Sequence, residues 1–178
     1  ATDSKGTFYI LNKKDRTPII FIHGVGLDHS IWDLQINEFD NTVLIYDILG
    51  HGKTPLNKND LSFDDFSDQI INLIDELKFN KVHLVGFSIG SLIARNFATR
   101  FNNRLASLTL LCSIFNRSDK EQKIVNDRFE QTKKDHKLTK DALKIDNIKE
   151  LFINKQLSFE QLNQFNLYAI NALQNECI

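Results

Sequence analysis

A chain of 178 residues has room for one domain with a sizeable core, or for one core with a small appendage. Hydrophobic residues at 42%, charged residues at 25% and a net charge of −1 describe a globular protein and argue against an electrostatic role on nucleic acid or a membrane surface. No apolar run reaches membrane-spanning length, residues 1–6 carry no apolar signal region, and Cys112 and Cys177 form no spacing motif, so a cytoplasmic protein is expected.

In chain order, residues 7–11 predict a short strand and 12–17 a polar turn. Residues 18–22, apolar on both faces, predict a buried strand of a parallel sheet. It runs into His23-Gly24-Val25-Gly26, whose glycines let backbone approach backbone or ligand closely. Residues 30–39, with Ile31, Trp32, Leu34, Ile36 and Phe39, carry a weak helical pattern, and 42–46 predict another buried strand. A glycine-punctuated turn follows over 47–55. Ser62 and Asp65 form a capping-box pattern that opens a helix with Phe63, Phe66, Ile70, Leu73, Ile74 and Leu77 along one stripe.

Residues 81–85 then predict a strand and 91–98 a helix, with Gly86-Phe87-Ser88-Ile89-Gly90 between them. A serine wedged between glycines at a strand-to-helix reversal has a mechanical reading. The turn is so tight that side chains two residues on either side would collide, hence Gly86 and Gly90. Ser88 at its apex is pushed into a strained backbone region with its hydroxyl exposed. The next amide, that of Ile89, points to where an oxyanion would form, at a helix N-terminus that favours negative charge. This G-x-S-x-G pattern is a nucleophile elbow; the competing reading is a glycine-flanked serine in an ordinary strand–helix loop.

Residues 105–111 predict a further strand, with Cys112 as a small core residue at its end. The texture then changes: from about residue 116 to the last there is no glycine or proline, and the pattern is of three or four amphipathic helices. Val125, Phe129 and Thr132 share a face in the first, and Leu162, Phe165, Ala169, Ala172 and Leu173 form the stripe of the last. The expected division is an α/β layer over 1–115 and an all-helical segment over 116–178.

Alternating strands and helices imply a parallel sheet with helices on both faces and ligands at the carboxyl ends of its strands. Three distinctive loops fall at such ends: 23–26, 47–54 and the elbow. Together they resemble the α/β-hydrolase family, across nearly the whole chain and most strongly over 19–113. The resemblance implies a doubly wound, mainly parallel sheet with a helical cap, or lid, in the position of residues 116–178. It assigns one oxyanion-hole amide to Val25 and the other to Ile89, gives His23 and Gly24 a scaffold role in the oxyanion loop, and recognises Asp47, Gly50, Gly52 and Thr54 as a family turn. Within the family, the runs after His23 and Asp47 look most like 3-oxoadipate enol-lactonases and small carboxylesterases.

The implied chemistry is acyl transfer: the Ser88 hydroxyl attacks a small ester, lactone or activated carbonyl, and water later releases the acyl group. A general base is needed, and the family's chain order is Ser, then Asp or Glu, then His. No strand follows the cap region, so the acid, the histidine and the remaining strands are expected from a further segment or a second chain, leaving 105–111 an exposed apolar edge meanwhile. His136, the only histidine after Ser88, reads as a surface residue of a basic run, and Asp119 as the start of the first cap helix. His29 is placed at the entrance, His51 in the turn, His83 within a strand and Trp32 beside the pocket. No His, Cys or carboxylate spacing suggests a metal, and no G-x-G-x-x-G supports a dinucleotide, so no cofactor is expected. The rival reading is a ligand-binding or receptor-like relative that has lost turnover.

Overall fold

Five strands, β1 (Tyr9–Asn12), β2 (Arg16–Ile22), β3 (Asn41–Tyr46), β4 (Val82–Phe87) and β5 (Leu105–Leu111), form one sheet in the order β1-β3-β2-β4-β5. They belong to a computed structural model that describes residues 1–57, 61–113, 118–120, 123 and 127. The first of its two compact units, Ala1–Phe115, contains the whole sheet. The helices expected over 116–178, the lid they would form and His136 lie outside the described residues, except that Asp119, Lys120, Lys123 and Asp127 are helical and exposed.

β2 pairs in parallel with β3 on one side and β4 on the other, β4 pairs in parallel with β5, and only β1 runs antiparallel, against β3. The apolar runs of β2 and β3 explain their central places. Ile19, Ile20, Phe21 and Ile22 are all buried, as are Val43, Leu44, Ile45 and Tyr46, so both sheet faces are covered there.

Two helices, α1 (Phe63–Glu76) and α2 (Ile89–Arg100), close one face. Alternate residues Ile20, Ile22, Leu44, Tyr46, Val82 and Leu84 meet Ile70, Leu73 and Ile74 of α1 and Ile93, Ala94 and Phe97 of α2 in one core cluster. Each Val, Leu, Ile or Phe side chain among them contributes about 1.5–3 kcal/mol when fully buried. α1 begins where expected: Ser62 accepts from the Asp65 backbone while the Asp65 carboxylate accepts from the Ser62 N–H. Neither described helix is long and apolar enough to cross a membrane.

The opposite face departs from expectation. The helical pattern over 30–39 resolves into one 3₁₀ turn, His29–Trp32, capped by Asp28 and followed by further turns. Its apolar residues serve packing: Trp32 and Phe39 lie against Phe21, with ring centroids 4.9 and 5.8 Å away. Within Ala1–Phe115, then, the two described α-helices occupy one face. A physical rule accounts for the split. The β2-to-β3 connection moves one way along the sheet, while those through α1 and α2 move the other. Right-handed crossovers in opposite directions fall on opposite faces.

Candidate active site

The same reversal of direction sets the site. The chain leaves β2 towards β3 and leaves β4 towards β5, so the loops after β2 and β4 part around a crevice at the carboxyl ends of adjacent strands. Ile22 and Gly86 are register partners across these strands, which puts the 23–26 loop beside the elbow.

Contact between the two is close enough to dictate residue type. A Cβ on Gly90 would lie 2.5 Å from the Ile22 carbonyl oxygen and 2.7 Å from that of His23, and one on Gly86 would lie 2.3 Å from the Gly90 carbonyl oxygen. Ser88 at the apex has φ 55° and ψ −117°, in the left-handed half of backbone space that an L-residue occupies only under constraint. Three hydrogen bonds supply that constraint. The Ser88 N–H donates to the Leu111 carbonyl at 3.0 Å. The Ser88 carbonyl accepts from the Ser91 N–H at 3.0 Å and from the buried Ser91 hydroxyl at 2.5 Å. Ser88 precedes α2 as its N-cap, yet its side chain makes no capping bond, which leaves the hydroxyl for other partners. Ile89 is the first residue of α2, so its amide points out of the helix N-terminus.

Along the other wall, His23 is fully buried and both ring nitrogens are in use. Nε2 accepts from the Ile48 N–H at 3.0 Å, so the proton sits on Nδ1 and is donated to the Gly24 carbonyl at 2.8 Å. Burial holds its pKa below the ordinary histidine range, opposed by the bond to Gly24 and reinforced by His51. His23 is thus a neutral fixed strut rather than a proton carrier. Val25, next but one along, is 47% exposed, and among the described residues nothing accepts from its N–H.

The turn after β3 is organised by Asp47, which is fully buried. One carboxylate oxygen accepts from the His29 N–H and from His29 Nδ1, both at 2.7 Å, and the other accepts from the Lys53 N–H at 2.8 Å. Gly52, at φ 52°, leaves space for this: a Cβ there would lie 2.3 Å from the carboxylate. Thr54 closes the turn, its hydroxyl accepting from the Phe8 N–H at 3.0 Å.

His29, expected at the entrance, has a side chain 13% exposed and bound to Asp47. Residues 29 and 47 are brought together by the pairing of β2 with β3, which no local pattern announces. Cys112 is exposed at φ 51° rather than a small core residue, because β5 ends in a left-handed turn. The remaining described histidines are engaged elsewhere, His51 Nδ1 with the Leu49 carbonyl at 3.1 Å and His83 Nδ1 with Ser107 Oγ at 2.7 Å. Among the described residues, none of the four is bonded to the Ser88 hydroxyl.

Asp28, His29 and Asp47 bring three potential ligand atoms within 4.8 Å of one another. Hydrogen bonding accounts for that proximity, because His29 Nδ1 is spent on Asp47 and one Asp28 oxygen accepts from both the N–H and the hydroxyl of Ser30. The two Ser30 bonds also hold the Asp28 pKa below the usual carboxylate range, against a smaller opposing effect of burial.

Comparison with known proteins gives consistent results. A family profile described as the alpha/beta hydrolase fold matches residues 17–174. The chain is 29% identical over 132 residues to (E)-2-((N-methylformamido)methylene)succinate hydrolase of Acinetobacter baylyi, covering 73% of this chain and 50% of that one. It is 29% identical over 115 residues to 3-oxoadipate enol-lactonase 2 of the same organism, covering 61% and 43%. The solved meta-cleavage product hydrolase from Pseudomonas fluorescens IP01 superposes with a TM-score of 0.58 at 30% identity, covering 64% of this chain and 44% of its own. The chain therefore spans half or less of the length of each.

Proposed function

Since the chain belongs to the alpha/beta hydrolase fold family, we propose that it carries the nucleophile and oxyanion hole of a cofactor-independent serine hydrolase acting on a small ester, lactone or activated carbonyl. Ser88 Oγ attacks the carbonyl carbon and its proton passes to a general base. The carbonyl π pair moves to oxygen, where the amides of Val25 and Ile89 stabilise the negative charge. Collapse expels the alkoxide, which takes the proton, and leaves an ester on Ser88. Water, deprotonated by the same base, then releases the acid and restores the hydroxyl.

The observation that carries this reading is the Ser88 backbone at φ 55°, held at the N-terminus of α2 with the side chain not used as a cap. A strained residue persists only where its surroundings over-determine it, at about 1–3 kcal/mol. The general base and its acid are taken from outside the described residues, whether from the rest of this chain, a further segment or a second chain completing the sheet. Residues 116–178 are read as the lid, and the protein as cytoplasmic. An ester or lactone of a small organic acid is favoured, in line with the enol-lactonase among the relatives.

A fluorophosphonate probe applied to the full-length protein is expected to label Ser88, and Ser88→Ala to abolish both labelling and p-nitrophenyl acetate hydrolysis. Labelling that survives the substitution would remove Ser88 from the mechanism. An unlabelled wild type would favour a ligand-binding protein that keeps the pocket without turnover.

A further inference from the structure

We propose that His29 is a positioning residue for the oxyanion hole, holding the Val25 amide on target through its bond to Asp47. The inference rests on the reading of Val25 as an oxyanion donor. Between His23 and His29 lie five residues, two of them glycine, with Gly26 at φ 71°. The Gly24 carbonyl is held by His23 Nδ1 and Asp28 is bonded to Ser30, but among the described residues one hydrogen bond joins two residues of the stretch itself, a long one from Leu27 N–H to the Gly24 carbonyl at 3.3 Å. So soft a segment does not fix an amide by itself.

Its two ends do, and both are tied to one place. At the first, His23 Nε2 takes the Ile48 N–H. At the second, a single Asp47 oxygen takes both the backbone N–H and the Nδ1 proton of His29. Asp47 and Ile48 are consecutive, so the loop is strung between two histidines on adjacent residues of one turn.

That anchor is itself bonded on several sides. The Asp47 N–H donates to the Phe8 carbonyl at 3.0 Å, its carbonyl accepts from Gln69 Nε2 at 3.0 Å, and its second carboxylate oxygen holds Lys53. The His29 ring is backed by Phe8, centroids 4.8 Å apart, and the Lys53 ammonium lies 4.4 Å from the centroid of the same Phe8 ring. Bonds to a charged, buried acceptor are the stronger kind. Losing the ring leaves the Asp47 oxygen with the His29 backbone N–H as its one donor from this residue and loosens the second end of the loop.

The test uses the full-length enzyme with His29→Ala and His29→Asn, since the asparagine Nδ2 falls close to where the histidine Nδ1 stood. For His29→Ala, kcat for p-nitrophenyl acetate is expected to fall about 10–100-fold with KM within about twofold, the pattern of an interaction realised in the transition state. Inhibition by a trifluoromethyl ketone, which places an oxyanion in the hole, should weaken by the same factor as kcat/KM. His29→Asn should recover most of both losses. If kcat and trifluoromethyl ketone affinity are unchanged in His29→Ala, or if asparagine rescues neither, the positioning role is wrong even with Ser88 labelled normally in every variant. A wild type that neither labels nor hydrolyses the ester overturns the serine-hydrolase reading, and this inference with it.

Discussion

At Ser88 the fold accepts an unfavourable backbone and surrounds it with contacts that permit no other. The glycines are part of that enclosure. Gly90→Ala would drive a methyl to 2.5 Å from the Ile22 carbonyl oxygen, and backbone cannot yield as a side chain would. A loss of about 1–3 kcal/mol in urea unfolding is expected for a small-to-large change in packed surroundings. Fluorophosphonate labelling of Ser88 should fall further than stability does, because β2 and the elbow separate at the proposed nucleophile. His23 yields a second prediction. Its folded-state pKa lies below its ordinary value of 6.5 because burial disfavours the charged ring. Above that value both states are neutral and the contribution is complete. As pH falls below it, the unfolded chain takes a proton that the folded chain refuses, and stability is lost. His83, half-buried and lowered for the same reason, adds a loss of the same sign. The urea midpoint should therefore drop between about pH 7 and pH 5, and His23→Gln should flatten that dependence. An unchanged slope would mean the acid sensitivity comes from elsewhere.

Among the elements, α1 shows how much of a helix start is carried by two side chains. The Asp65 carboxylate accepts from both the N–H and the hydroxyl of Ser62 at 2.7 Å, while the reciprocal bond from the Asp65 N–H to Ser62 Oγ is 3.4 Å. The shorter bonds are on the acid side, where negative charge also suits the helix N-terminus. Ser62→Ala and Asp65→Ala should each cost about 0.5–2 kcal/mol in urea unfolding, with Asp65→Ala the larger. The reverse ranking would show that the serine hydroxyl dominates. Further along, Leu73 and Ile74 are fully buried in the cluster with β2, β3 and β4. Leu73→Ala should cost about 2–5 kcal/mol. The ion pairs of Arg100 with Asp64 and Asp68, on partly exposed side chains, decide much less.

For the sheet as a whole, position in the strand order governs local stability. β2 is flanked by β3 and β4 and buried throughout its apolar half, whereas β5 is the outermost described strand beside β4, with Leu110 37% exposed. In amide hydrogen exchange of the 178-residue chain, the β2 and β3 amides should approach the global unfolding limit, and those of β5 that do not face β4 should exchange orders of magnitude faster. Protection of β5 equal to that of β4 would mean that another strand covers the edge.

The sequence by itself determined the elements whose pattern is local. Buried β-branched and apolar runs set β2 to β4, an apolar run set β5, Ser62 with Asp65 marked the start of α1, and Gly86-Phe87-Ser88-Ile89-Gly90 declared a strand-to-helix reversal because the steric conflict lies within five residues. Misjudged positions are those whose conformation answers to distant neighbours. Trp32 and Phe39 have helical spacing, yet they take a 3₁₀ turn and loop because Phe21 offers them a surface. Cys112 turns left-handed as β5 ends. The bond of His29 to Asp47 spans 18 residues and exists because β2 and β3 are neighbours. Only the tertiary structure brings the loop after β2 against the elbow after β4 and ties it to the turn after β3, since strand order is decided by packing among all five strands rather than by any one of them.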